Sequence, residues 1–201
     1  MQDHSNSSTE IRRKHSKTTN ESGAPARKIN PRRSTHASRE SRLTDRDAGT
    51  KRHARDWSAA VPPGPEAGAA SDMQAPYRPM FSPDAVEMRF VCGAFGERGP
   101  STAWFRLRRP LVRGEVASPL QRLAAAADFG NGISATLSWD DWVFINPDLT
   151  LYVERQPSGE WICLQARTRI AAGGIGVSES VLYDERGRIG RATQALLVAR
   201  R

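Results

Sequence analysis

At 201 residues the chain has room for one ordinary domain with appendages, and a hydrophobic content of 38% is low for a chain folded throughout. Cys92 and Cys163 are too few for a disulfide scaffold and are not spaced for a metal, which suits a reducing cytosol. No apolar run reaches membrane-spanning length and the N-terminus lacks the apolar core of a signal peptide, so a soluble cytoplasmic protein with no membrane contact is expected.

The net charge of +8 is unevenly spread: residues 1–79 carry +6 and the remainder +2, and from residue 54 onward every basic side chain is arginine. Residues 1–55 contain almost no aliphatic side chains and no sustained period of 3.6 or 2. Such a segment cannot bury enough apolar surface to offset chain entropy of roughly 1 to 2 kcal/mol per residue, and a disordered basic tail is expected. Its runs "RRK", "ARKINPRR" and "KRHAR" suggest electrostatic contact with nucleic acid. Acidic residues interrupt them, however, and no aromatic side chain precedes Trp57. A solvated tail explains the same composition, and no nucleic-acid partner is expected. Residues 56–84 read as a Pro/Gly/Ala-rich linker, which leaves 85–201 as the folded domain.

That domain opens with two strand-like runs, Val86 to Phe95 and Thr102 to Arg109, joined by turn residues Gly96 to Pro100. A helix follows: Ser118 can cap it, Pro119 fits its first position, and Gly130 or Gly132 can end it. Leu120, Leu123, Ala124 and Ala127 fall on one face, which is expected to pack against a sheet. Further strands are expected at Ile133 to Trp139, Leu149 to Arg155, Trp161 to Ala171, Gly176 to Tyr183 and Ile189 to Ala199. The turns "RQPSGEW" and "YDERGRIG" make consecutive strands antiparallel. The fold class is therefore α+β, a curved antiparallel sheet of five to seven strands around one central helix.

Asp128 stands out within this plan. Aspartate is a poor helix former, and at a helix C-terminus it meets the negative end of the macrodipole, so its position after Ala124 to Ala127 calls for a functional reason.

Several elements in fixed order carry a resemblance. Trp104 and Arg106 precede Pro110, Ser118-Pro119 opens the helix, and Asp128 follows it. Asn146 comes with Asp148 and Arg155, then Gly159-Glu160-Trp161, then Asp184 to Gly187 ahead of Gln194. Together these residues, spanning roughly 80–201, resemble the C-terminal half of the thioesterase-like superfamily, related to type II acyl-CoA thioesterases with a double hotdog fold. The resemblance implies a hotdog domain, an acyl-CoA substrate, no cofactor and no metal. It also implies a water-activating set made of a helix aspartate, a strand threonine or polar substitute, and a glutamine on the last strand. By position these are Asp128, Asn146 and Gln194, with Asn146 departing from the family's threonine. The implied chemistry has Asp128 accepting a proton from the water that attacks the thioester, while the two amides orient that water or stabilise charge.

The residues allow other roles. Asp128 could bond the loop amides of Gly130 and Asn131, Asn146 could form a turn ahead of Pro147, and Gln194 could satisfy a neighbouring strand. Asp148 and Arg155 are expected to form an ion pair. Cys163 reads as a core residue, and no histidine in the folded part is available to activate it or Ser178 or Ser180. The family's first hotdog is not recognisable. The chain is either a single hotdog with an extension or one whose first half is truncated or replaced by out-of-frame sequence, and the abrupt end of Lys and His usage favours the second. An isolated hotdog leaves a sheet edge and an apolar helix flank uncovered, so a homodimer is expected. The alternative to a hydrolase is a non-catalytic acyl-binding or oligomerisation module.

Overall fold

A computed structural model of the chain describes residues 60–73 and 80–201. The expected tail, 1–55, and part of the expected linker lie outside the described residues.

Among the described residues eight strands form one antiparallel sheet: β1 (Ala69–Ala70), β2 (Val86–Cys92), β3 (Ser101–Leu107), β4 (Trp142–Ile145), β5 (Thr150–Val153), β6 (Trp161–Ala171), β7 (Ile175–Asp184) and β8 (Gly187–Arg200). Their order is β1-β2-β3-β6-β7-β8-β4, with β5 also pairing β8. The β2–β3 hairpin forms as expected, and β6 begins and ends where the sequence places it. The count exceeds five to seven partly because β1 comes from the stretch read as linker. That stretch is held to the sheet: Ser71 N donates to Met88 O at 3.0 Å and the Trp104 indole donates to Pro63 O at 2.7 Å.

The helix α1 spans Pro119–Ala127, with Ser118 and Gln121 in a reciprocal capping box. Its buried residues are Leu123, Ala126 and Ala127. The expected face was rotated: Leu120 and Ala124 are exposed, because the helix touches the sheet along the i, i+3, i+4 row that starts at Leu123. A second short helix, α2 (Gly130–Ile133), continues after a break at Asp128 and Phe129. The strand expected at Ile133 to Trp139 does not form. Ala135 and Leu137 are buried alternately as in a strand, but the segment runs beside the sheet without a ladder partner, and the strand that follows is β4.

The inner sheet face carries two apolar clusters. Val86, Phe105, Leu164 and Leu182 pack under α1, while Leu137, Trp142, Phe144, Leu196 and Val198 pack at the far end. Between them, beneath α2, Thr168, Ser178 and Gln194 lie opposite one another on β6, β7 and β8. All three are buried. A polar row crossing an otherwise apolar face is costly unless it is hydrogen-bonded, so it marks where the fold does something besides pack.

Candidate active site

Asp128 occupies the C-cap of α1 and is exposed, facing the helix end whose dipole disfavours a carboxylate. Two amides compensate. Asn146, directly after β4, donates through Nδ2 to Asp128 Oδ1 at 2.7 Å, and Gln194 on β8 donates through Nε2 to the same oxygen at 3.2 Å. Gln194 Nε2 also lies 3.3 Å from the Asp128 carbonyl oxygen. The three residues singled out in the sequence, spread over three elements and 66 residues of chain, therefore meet at one carboxylate oxygen. Among the described residues Oδ2 takes no hydrogen bond.

Gln194 is 2% exposed and its orientation is fixed from both ends. Its Oε1 accepts from Asn131 N at 3.1 Å, so the Nε2 end must point to Asp128. The loop amide that Asp128 could have bonded is thus used by Gln194 instead. The close fit also constrains Gly130, where an added Cβ would stand 2.8 Å from Ser180 Oγ and 2.9 Å from Gln194 Oε1. Thr168 Oγ1 and Ser134 Oγ lie 2.8 Å apart, and Ser134 Oγ donates to Gly130 O at 2.7 Å, which ties α2 to the polar row. Sequence reading gave the Asn131 amide to Asp128 and missed Ser134 and Thr168. A polar residue at an inward position of the apolar-alternating β6 was the signal available for Thr168.

Asp148 and Arg155 do not pair. Asp148 Oδ1 accepts from Ala195 N at 2.7 Å, pinning the loop after Asn146 to β8. Arg155 instead forms a two-pronged pair with Asp184, 2.6 Å on each arm, and Asp184 further accepts from Ser158 N at 2.8 Å and Arg186 N at 2.9 Å. Burial works to raise the Asp184 pKa, but Arg155 and the two amides outweigh it and hold the carboxyl below the ordinary carboxylate value. The pair clasps the end of β5 to the β7–β8 turn, and its remoteness in bonding from Asp128 makes it structural. Cys163 is fully buried and burial pushes its thiol up, so it packs and does not attack.

An exposed carboxylate with one oxygen saturated by two amides and the other open is suited to accepting a proton from water. The amides also supply donors close to where that water would sit.

A family model described as the acyl-CoA thioesterase C-terminal domain matches residues 58–198. None of the curated proteins compared matches the chain. Among solved structures, a candidate thioesterase from Novosphingobium aromaticivorans aligns at 21% identity and TM-score 0.51, covering 73% of this chain and 56% of that one. A protein of unknown function with a hot dog fold from Alicyclobacillus acidocaldarius aligns at 16% identity and TM-score 0.52, covering 76% and 58%. A candidate thioesterase II from Thermobifida fusca aligns at 19% identity and TM-score 0.50, covering 74% and 58%. The fold is thus the α+β hotdog fold, and the chain spans somewhat more than half the length of these relatives.

Proposed function

Because the chain belongs to the acyl-CoA thioesterase C-terminal domain family, we propose that it hydrolyses the thioester of an acyl-CoA at Asp128, with Asn146 and Gln194 as its partners. The observation that carries this reading is the convergence of both amides on Asp128 Oδ1. In the proposed step Asp128 Oδ2 takes a proton as the water oxygen bonds to the thioester carbonyl carbon. When the tetrahedral intermediate collapses, the C–S bond breaks and the departing sulfur recovers that proton, giving a carboxylic acid and the free CoA thiol. General-base help of this kind is worth about 10² to 10⁴ in rate.

Thiol release from a panel of acyl-CoAs of graded chain length tests the reading. The wild-type chain is expected to hydrolyse at least one member, and Asp128→Asn, which keeps the shape but cannot take the proton, is expected to lose about 10²-fold or more of kcat. Unchanged hydrolysis in that variant removes the mechanism. Acyl-CoA binding with no hydrolysis by the wild type would instead leave a non-catalytic acyl-binding module.

The same proposal includes a homodimer. The free edge of β4 and the exposed Leu120 and Ala124 flank of α1 are the surfaces a second hotdog would cover. No helix among the described residues is long and apolar enough to cross a membrane. Cys92 and Cys163 are too few for a disulfide framework, which fits a cytosolic location that cell fractionation checks.

A further inference from the structure

Four hydrogen bonds beside the site run in one direction. Ser134 has a single hydroxyl proton and gives it to Gly130 O at 2.7 Å, so in its 2.8 Å contact with Thr168 the proton belongs to Thr168 Oγ1. Asn131 N donates to Gln194 Oε1 at 3.1 Å, and Gln194 Nε2 donates to Asp128 Oδ1 at 3.2 Å. The bonds at Gly130 O and Asn131 N share one peptide unit. That carbonyl and that N–H lie in one planar group and point to opposite sides of it, so whatever holds the carbonyl also sets the direction of the N–H.

Burial makes the hold count. Ser134 is 0% exposed, Thr168 6% and Gln194 2%, so water does not compete for these groups. Asn131 N lies in the first turn of α2, where N–H groups lack a partner within the helix, and it is available to Gln194. Bonds aligned head to tail also polarise one another. A proton donated to Gly130 O makes the Asn131 N–H a better donor, and that in turn strengthens Gln194 as a donor to the carboxylate. A competing partner stands alongside. Ser178 on β7 lies opposite both Thr168 on β6 and Gln194 on β8 and is 1% exposed. Among the described residues its hydroxyl makes no hydrogen bond. An amide released by Asn131 has that hydroxyl to turn to, which would draw Nε2 from Asp128.

We propose that Thr168 and Ser134 are positioning residues for Gln194: they clamp the 130–131 peptide and through it aim the Gln194 amide at Asp128. Both act through a backbone group, and among the described residues neither hydroxyl bonds Asp128 or Asn146. The effect on kcat rests on the reading of Asp128 as the base, whereas the aim of the amide does not.

Nuclear magnetic resonance and kinetics on the full chain test this with Thr168→Val, which keeps the side-chain shape but removes the hydroxyl, and Thr168→Ser, which restores the hydroxyl. In Thr168→Val the Asn131 amide proton is expected to move upfield, as a weakened bond requires, and the Gln194 carboxamide resonances to be displaced. Thr168→Ser should return both to their wild-type positions. Ser178→Ala removes a buried hydroxyl from the same row but outside the chain of bonds, and should leave the Asn131 proton where it is. In acyl-CoA hydrolysis Thr168→Val should lose about tenfold in kcat with KM unchanged, and Thr168→Ser should recover it. Ser134→Ala is expected to move the same resonances; should it fail to fold, the Thr168 pair decides. Unmoved resonances in Thr168→Val overturn the proposal, as does a Thr168→Ser variant that behaves like Thr168→Val. An equal movement in Ser178→Ala also overturns it, since the row would then be a packing feature, and so does an unchanged kcat where the resonances have moved. A wild type that hydrolyses nothing removes the Asp128 reading, and the resonances still decide what aims Gln194.

Discussion

Asp128 is placed where helix electrostatics disfavour it, and Asn146 and Gln194 offset that cost by donating to the same oxygen. Gln194 in turn is aimed by Asn131 N, and the space it occupies exists because residue 130 has no side chain. Gly130→Ala therefore tests that fit. Alanine favours the helix by up to about 1 kcal/mol, but its Cβ crowds the buried Ser180 and Gln194 side chains, so the melting temperature should hold or fall slightly while the protein stays folded. The Gln194 amide must shift to make room, and a displacement approaching 1 Å in a catalytic group costs about tenfold to a hundredfold in kcat. Steady-state kinetics and thermal melts on the same preparation check this. A folded variant with unchanged kcat would show that the position of Gln194 does not matter.

At the scale of elements, the β7–β8 turn is held by Asp184, whose side chain is fully buried, against Arg155 beyond β5. The Asp184 pKa is lowered on folding, so its contribution is complete above the unfolded carboxylate value of about 3.9 and is lost as the pH falls through the lower folded value. Glu87 behaves alike: burial opposes its charge, but Arg106 and Arg89 hold its pKa down. Stability in urea is expected to stay level from neutral pH to about 5 and to fall below about 4. Asp184→Asn should cost about 2 to 3 kcal/mol at neutral pH and make the acid decline shallower. An equally steep decline in that variant would mean the clasp contributes nothing.

The elements also show what was legible. The helix was readable from Ser118-Pro119 because caps are local chemistry, and β6 from its apolar alternation and flanking turns. Ile133 to Trp139 misled because burial alternates there without pairing, and pairing is a property of what lies alongside. Arg155 was given to Asp148 because they are seven residues apart, whereas its partner is 29 away across a turn that only the folded sheet brings near. The site residues were found by resemblance, position by position. Helix propensity and the helix dipole marked Asp128 as odd but could not connect it to Gln194.

For the whole molecule, the uncovered surfaces dominate. Among the described residues β4 offers an unpaired edge, and Leu120 and Ala124 are exposed apolar side chains on α1, so the proposed homodimer buries groups that a monomer leaves wet. Sedimentation across a range of concentrations should show a reversible dimer at minimum, and a single monomeric species throughout contradicts it. The central claim is that Asp128, Asn146 and Gln194 form one water-activating unit. Groups that act as a unit lose their effect together, so their single losses do not add. The direct measurement is kcat for acyl-CoA hydrolysis by Asp128→Asn, Gln194→Ala and the double variant. The account predicts a double variant no slower than the slower single one; losses that multiply would contradict it.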